Sequence, residues 1–357
     1  MFRWDELSPM DIESSEVILM SRKSEKFQLY LCALGMIVLI LDAKTALLGA
    51  AEGIELCMKT VIPSLFPFFV LSGVLTSGLF SITSKFLMPI GRLFCVPKGC
   101  ESIIVVGLLG GYPLGAKLTA EAYRNHQISR DEGRRMMRFC SNAGPSFIFG
   151  MAGALFSRPI IGWFLWGIQI LSSLLVAFLT KETMNRSPGI QIRQSSVTFV
   201  ESMHASLRSM AGICGWIVLF RVWIGFLDKW AFWCLPPQIK AIICGILELS
   251  NGCISLAALQ NEVLRYIFCA GMLGFGGICI TMQTASVTGS LGIRDYVIGK
   301  VLQCIFCVLL AILSSPILFY GGSFISKIHL WIIPPICFLS AAFILKNFSG
   351  NSIKADV

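Results

Sequence analysis

The sequence predicts an all-α, polytopic membrane protein with inverted structural repeats and two re-entrant hairpins. Three observations carry that prediction: the composition, the placement of Lys and Arg, and a similarity between the two halves of the chain. Of its 357 residues, 55% are hydrophobic and 14% are charged, and mean hydropathy is +0.76. Soluble domains hold roughly 45–50% apolar and about 25% charged residues.

Apolar runs fall near 29–48, 60–80, 102–116, 139–155, 160–180, 207–227, 241–259, 266–287, 297–319 and 329–345. Several approach the ~20 residues needed to cross hydrocarbon. One integral membrane, transporter-like domain therefore fills 29–346, between polar tails at 1–28 and 347–357 that are expected in the cytoplasm. No cleavage-site pattern follows the first run, so 1–28 reads as a tail and not a signal peptide. Met20 opens MSRKSEKF, a usual prelude to a first helix, so the true start is Met1 or Met20.

Cytoplasmic loops carry an excess of Lys and Arg. If all ten runs cross, the basic residues outside the runs and at their ends, Arg208 and Arg221 omitted, divide 14 to 13 between the sides. If 102–116 and 241–259 dip in and return, the same residues divide 20 inside and 7 outside. The second arrangement carries the bias, with eight crossings and both termini inside. Its two hairpins enter from opposite faces, and such non-helical backbone is tolerated at membrane depth only where protein or a polar cavity covers it.

The halves also match. At an offset of 149 residues, Glu52, Glu55, Lys59, Thr60 and Pro63 meet Glu201, His204, Arg208, Ser209 and Gly212. GLLGGYPLG from Gly107 then meets GILELSNGC from Gly245, and FCSNAGPSFIFG from Phe139 meets FCAGMLGFGGIC from Phe268. Each unit, about 52–180 and about 201–319, reads as a helix broken near its start, a hairpin and two further helices. Three crossings per unit oblige the second copy to lie upside down, the plan of secondary transporters.

VIPSLFPFFVLSGVL at 61–75, GGYPLGAK at 110–117, SNAGPSFIFG at 141–150, GILELSNGC at 245–253 and GFGGICITMQ at 274–283 resemble the YlbJ-type sporulation integral membrane proteins. These belong to the wider group with the nucleoside-recognition Gate domain. The resemblance covers roughly residues 29–320. It implies a multi-pass protein of the cell membrane in an endospore former, in the spore or mother-cell membrane, supporting formation of the spore cortex. It supplies no solute.

The candidate substrate-binding residues sit at the breaks. Pro63 and Pro67 remove two backbone donors four residues apart in one helix. Gly110, Gly111, Tyr112 and Pro113 form the first hairpin tip, where Tyr112 offers an aromatic face and a hydroxyl. Asn142, Ser146, Ser250, Asn251 and Gln283 are polar groups near the other break points, able to bond an uncharged solute or to cap a helix. Glu248 is a carboxylate deep in an apolar run, which costs about 2.5–3.5 kcal/mol unless it meets a cavity or a partner. Arg221 reads as that partner in an intramembrane ion pair, since both would lie roughly 10 Å below the outer surface at ~1.5 Å per residue.

Other chemistries are excluded or weak. Fourteen cysteines are scattered through apolar runs, and the one CxxC, Cys304 with Cys307, lacks His or carboxylate neighbours, so no metal and no cofactor is expected. GGYPLGAK is not a P-loop, because Leu118 stands where Ser or Thr is required. No Ser/His/Asp or Cys/His arrangement and no carboxylate pair points to an enzyme. The +9 charge lacks the aromatic-interleaved basic patch of a nucleic-acid binder. The expected partners are membrane lipid and an unknown small-molecule solute, with a homo-oligomer left open. Transport or export of that solute is the first reading. A non-transporting scaffold that recruits spore-maturation partners through six basic residues of a loop at 117–138 is the second.

Overall fold

The computed structural model describes residues 29–63, 65–67, 69–71, 74, 91, 94, 96, 97, 100–181 and 198–319. The expected tails and the run at 329–345 lie outside them. The described residues form helices and no strand: α1 Leu29–Leu41, α2 Ala43–Leu56, α3 Glu101–Leu109, α4 Leu114–Arg124, α5 Arg130–Met137 and α6 Pro145–Leu155. There follow α7 Ile160–Leu179, α8 Phe199–Trp230, α9 Pro237–Leu247, α10 Leu249–Leu256, α11 Glu262–Phe275, α12 Gly277–Thr288 and α13 Arg294–Phe319. Among the described residues, four segments are long and apolar enough to cross a bilayer: α7, α8, α11 with α12, and α13. The chain is an all-α, polytopic membrane protein.

The first boundary differs from the sequence reading. Residues 49–59, which lie between two of the apolar runs, continue α2, and the break falls earlier, where α1 and α2 meet at 100°. Asp42 stops α1 and caps α2, accepting from Thr45 Oγ1 at 2.8 Å and from Lys229 Nζ of α8. The polar stretch stays helical because its charges are paired, Glu55 with Lys59 at 2.6 Å and Glu52 with Arg221 of α8. Past Leu56 the helix makes a π-turn, Cys57–Val61, and helical backbone continues through the described residues to 71. Pro63 has no N–H to give the preceding turn, and the π-turn lies directly before it, closed by Ile62 N–H on the Cys57 carbonyl.

Helix α2 packs along α8, where the spacing Gly49, Gly53 admits the partner backbone. A β-carbon on either glycine would lie 2.9 Å from the α-carbon of Val222 or Val218. Small residues four apart are the usual way membrane helices approach closely.

The two short runs fold as helical hairpins. In α3 and α4, Gly107 and Gly115 lie backbone against backbone with the Cys140 carbonyl between them; in α9 and α10 the backbones of Gly245 and Gly252 meet directly, with the Met272 side chain beside both. A straight helix would hold residues seven or eight apart more than about 10 Å from each other. The alignment of GLLGGYPLG with GILELSNGC sets Gly110 opposite Glu248, and both helices break there.

The next element of each half is also interrupted. Residues 141–144 leave helical form before Pro145 opens α6, and Gly276 and Gly277, with φ of +83° and +88°, separate α11 from α12. A side chain at either glycine would strain that left-handed backbone. A single element then closes each half, α7 and α13, and these pack on each other.

The expected loop at 117–138 is mostly helix. Ser129 and Glu132 form a reciprocal capping box at the start of α5, which turns Arg135 inward to donate to the carbonyls of Thr180, Ala177 and Phe94.

Candidate functional site

A small, partly open cavity of about 60 Å³ lies between the two hairpin tips. Elements from both parts of the chain line it: Tyr112 at one hairpin tip and Glu248 to Ser250 at the other, Gly144 and Ser146 beside one interruption, Ile280 and Gln283 beyond the other, with Leu65 and Ile217 from the long helices. The walls are largely apolar and the polar groups few, the pattern of a small-ligand pocket.

Glu248 reaches the cavity because α9 ends there in extended backbone, φ −149° and ψ 126°. Its carboxylate caps α10, accepting from Ser250 N at 3.0 Å, Asn251 N at 2.7 Å and Asn251 Nδ2 at 2.9 Å. Helix N-termini stabilise negative charge through these unpaired N–H groups. The predicted pair with Arg221 is not formed. Arg221 faces α2, bonding Glu52 and, at 3.5 Å, Asp228, which also pairs with Lys240. Equal depth in the chain did not fix the direction of the two side chains, and each is satisfied on its own side of the fold.

Pro63 and Pro67 also lie elsewhere than predicted. Val61, Leu65 and Phe69 line the cavity, and residues two positions on along a helix point about 200° away; both prolines are exposed. Of the first tip, Gly111 and Tyr112 line the cavity, whereas Gly110 and Pro113 lie beside it. Asn251 is spent on holding Glu248.

Asn142 sits behind the cavity in a buried polar network that the sequence reading left out, apart from Asn142 itself. Its Oδ1 accepts from Gln303 Nε2 at 2.7 Å, and its Nδ2 donates to the Phe139 carbonyl at 2.9 Å. Gln303 also accepts from Lys300, and Gln169 Nε2 donates to the Leu273 carbonyl at 3.3 Å. Tyr112 Oη donates to that same carbonyl at 3.0 Å, which ties the first hairpin tip to the end of α11. Lys300 was legible only as a basic residue near the start of an apolar run; its place in the second turn of α13 is what buries it. No group of three or more His, Cys, Asp or Glu side chains suited to a metal occurs among the described residues.

No family model and no solved structure matches the chain. Its sequence is similar to the sporulation integral membrane protein YlbJ of Bacillus subtilis (strain 168), 26% identical over 312 residues, which is 74% of this chain and 76% of that protein.

Proposed function

We propose, from the premise that this chain is a YlbJ-type sporulation integral membrane protein, that it carries a small solute across a membrane of the developing spore. The observation that supports this is the cavity itself, lined by residues of two hairpin tips, two interrupted helices and two long helices drawn from both parts of the chain. In this reading the hairpins re-enter the lipid from opposite faces, the halves are inverted copies, and one moves against the other around a fixed site. Tyr112, Ser146, Glu248, Ser250 and Gln283 present aromatic, hydroxyl, carboxylate and carboxamide groups to the solute. Delivery of that solute is the contribution to cortex formation.

The scaffold reading loses part of its basis, because Arg134, Arg135 and Arg138 are engaged within the fold. The test is a panel of nucleosides, amino acids, sugars and organic acids, screened for a raised unfolding midpoint of the purified protein. It is repeated on Ser146→Phe, which fills the cavity from α6. Stabilisation of the native protein alone is the expected result. Transport through this site is refuted if no compound stabilises either protein, or if one stabilises both equally.

A further inference from the structure

Lys300 is fully buried, and among the described residues none of its contacts is to a carboxylate. Its ammonium donates to the Ser141 carbonyl and to Gln303 Oε1, lies 3.4 Å from Tyr112 Oη, and stands 5.0 Å from the centroid of that ring. Lysine within hydrocarbon is costly, and where kept it marks ion pathways and proton relays. Beside it the Ser141 hydroxyl is buried without a hydrogen-bond partner among the described residues, and the Tyr296 ring centroid stands 5.7 Å away. The Ser141 hydroxyl can turn to donate to an amine or accept from an ammonium.

We infer that the proton is the coupling ion of this protein and that Lys300 is the residue that binds it. The inference rests on the transport reading. As ammonium, Lys300 donates to the oxygen of Tyr112, whose own proton goes to the Leu273 carbonyl, so hairpin tip and α11 are held together. Loss of one N–H proton by way of Tyr112 Oη, which lines the cavity and can hand on its own proton there, leaves an amine with a lone pair. That lone pair competes with the Leu273 carbonyl for the single Tyr112 hydroxyl proton, and the tie to α11 loosens. Protonation by the same route restores it. The titratable groups facing Lys300 are Tyr112 from the hairpin, Cys140 from the interruption, and Tyr296 and Cys307 on its own helix. Asp295, nearer the start of α13, is already bonded to Arg134 and Arg138.

The experiment needs no solute. The full chain carrying Gln283→Cys is reconstituted in liposomes and treated with a maleimide. Labelling of the new thiol is read by peptide mass spectrometry relative to the exposed Cys234, which corrects for the thiol's own response to pH. Between about pH 6 and about pH 9 the ratio rises roughly fivefold or more as the tip is released. Lys300→Arg, which cannot be neutralised, holds it at the acid level, and Lys300→Met at the alkaline level. A native ratio that stays flat overturns the inference, whether or not the variants fold, and so does a native pH response that survives in both variants. A flat ratio in a protein that solutes still stabilise removes proton coupling and leaves transport standing.

Discussion

Gly107 and Gly115 share one contact: a β-carbon placed on the first would lie 1.7 Å from the Cys140 carbonyl oxygen, and on the second 1.8 Å. The obstacle is backbone, which cannot rotate aside. Alanine at either position is therefore expected to cost about 3 kcal/mol or more, the upper end of overpacking. Gly167 has nothing within 4 Å of such an atom, so Gly167→Ala should leave stability unchanged or raise it slightly. Unfolding midpoints of the three variants in detergent decide this.

Arg138 donates to Asp295 through both Nε, at 2.9 Å, and Nη2, at 2.8 Å, while Arg134 Nε takes the other carboxylate oxygen at 2.9 Å. Asp295→Asn leaves two guanidinium groups facing a neutral amide at a largely buried position. The expected loss is about 3 kcal/mol. A denaturation series that finds Asp295→Asn as stable as the native chain contradicts a structural role for this junction of α5 and α13.

Arg221 and Glu248 occupy separate networks, so their effects should add. In a double-mutant cycle, Arg221→Ala and Glu248→Gln are expected to couple by less than about 0.5 kcal/mol. Arg221→Ala with Glu52→Gln should couple by up to about 1 kcal/mol, as befits a half-exposed pair. Reversed magnitudes would restore the intramembrane pair.

Gln303 bonds Asn142 and Lys300 at once. Gln303→Leu preserves volume but strands a buried carboxamide oxygen and one ammonium hydrogen. A loss of about 1–3 kcal/mol is expected, with Gln303→Glu less damaging because it supplies Lys300 with a countercharge. Equal stability of the leucine and native proteins would argue that water already serves these groups.

The breaks were legible because glycine and proline announce where helical backbone stops. GLLGGYPLG and GILELSNGC both turn where they align, and the polar residues beside them, Tyr112, Ser146, Glu248 and Gln283, end at one cavity. Direction was not legible. Pro63 and Pro67 mark the right helix and the wrong face, and Arg221 has the right depth and the wrong neighbour, because rotation about a helix axis is set by packing against elements distant in sequence. Glu55 and Lys59 were legible as an i,i+4 pair at helical spacing, and they form it; the pairing of Glu52 with Arg221 cannot be seen before α2 and α8 are laid together. Lys300 carries no such signal, because a lone lysine at the edge of an apolar run is usually an interfacial anchor.

Helix α8 runs unbroken for 32 residues, Phe199–Trp230, about 48 Å at 1.5 Å per residue, against roughly 30 Å of lipid tails. The surplus of about 18 Å is accommodated by leaning or by overhang into the headgroups. Phe199, Val200, Met203 and Leu207 are exposed along its first turns, and apolar side chains there are poorly suited to standing in water. A leaning rod answers to bilayer thickness, so the angle between α8 and its surroundings becomes a quantity that lipid composition sets.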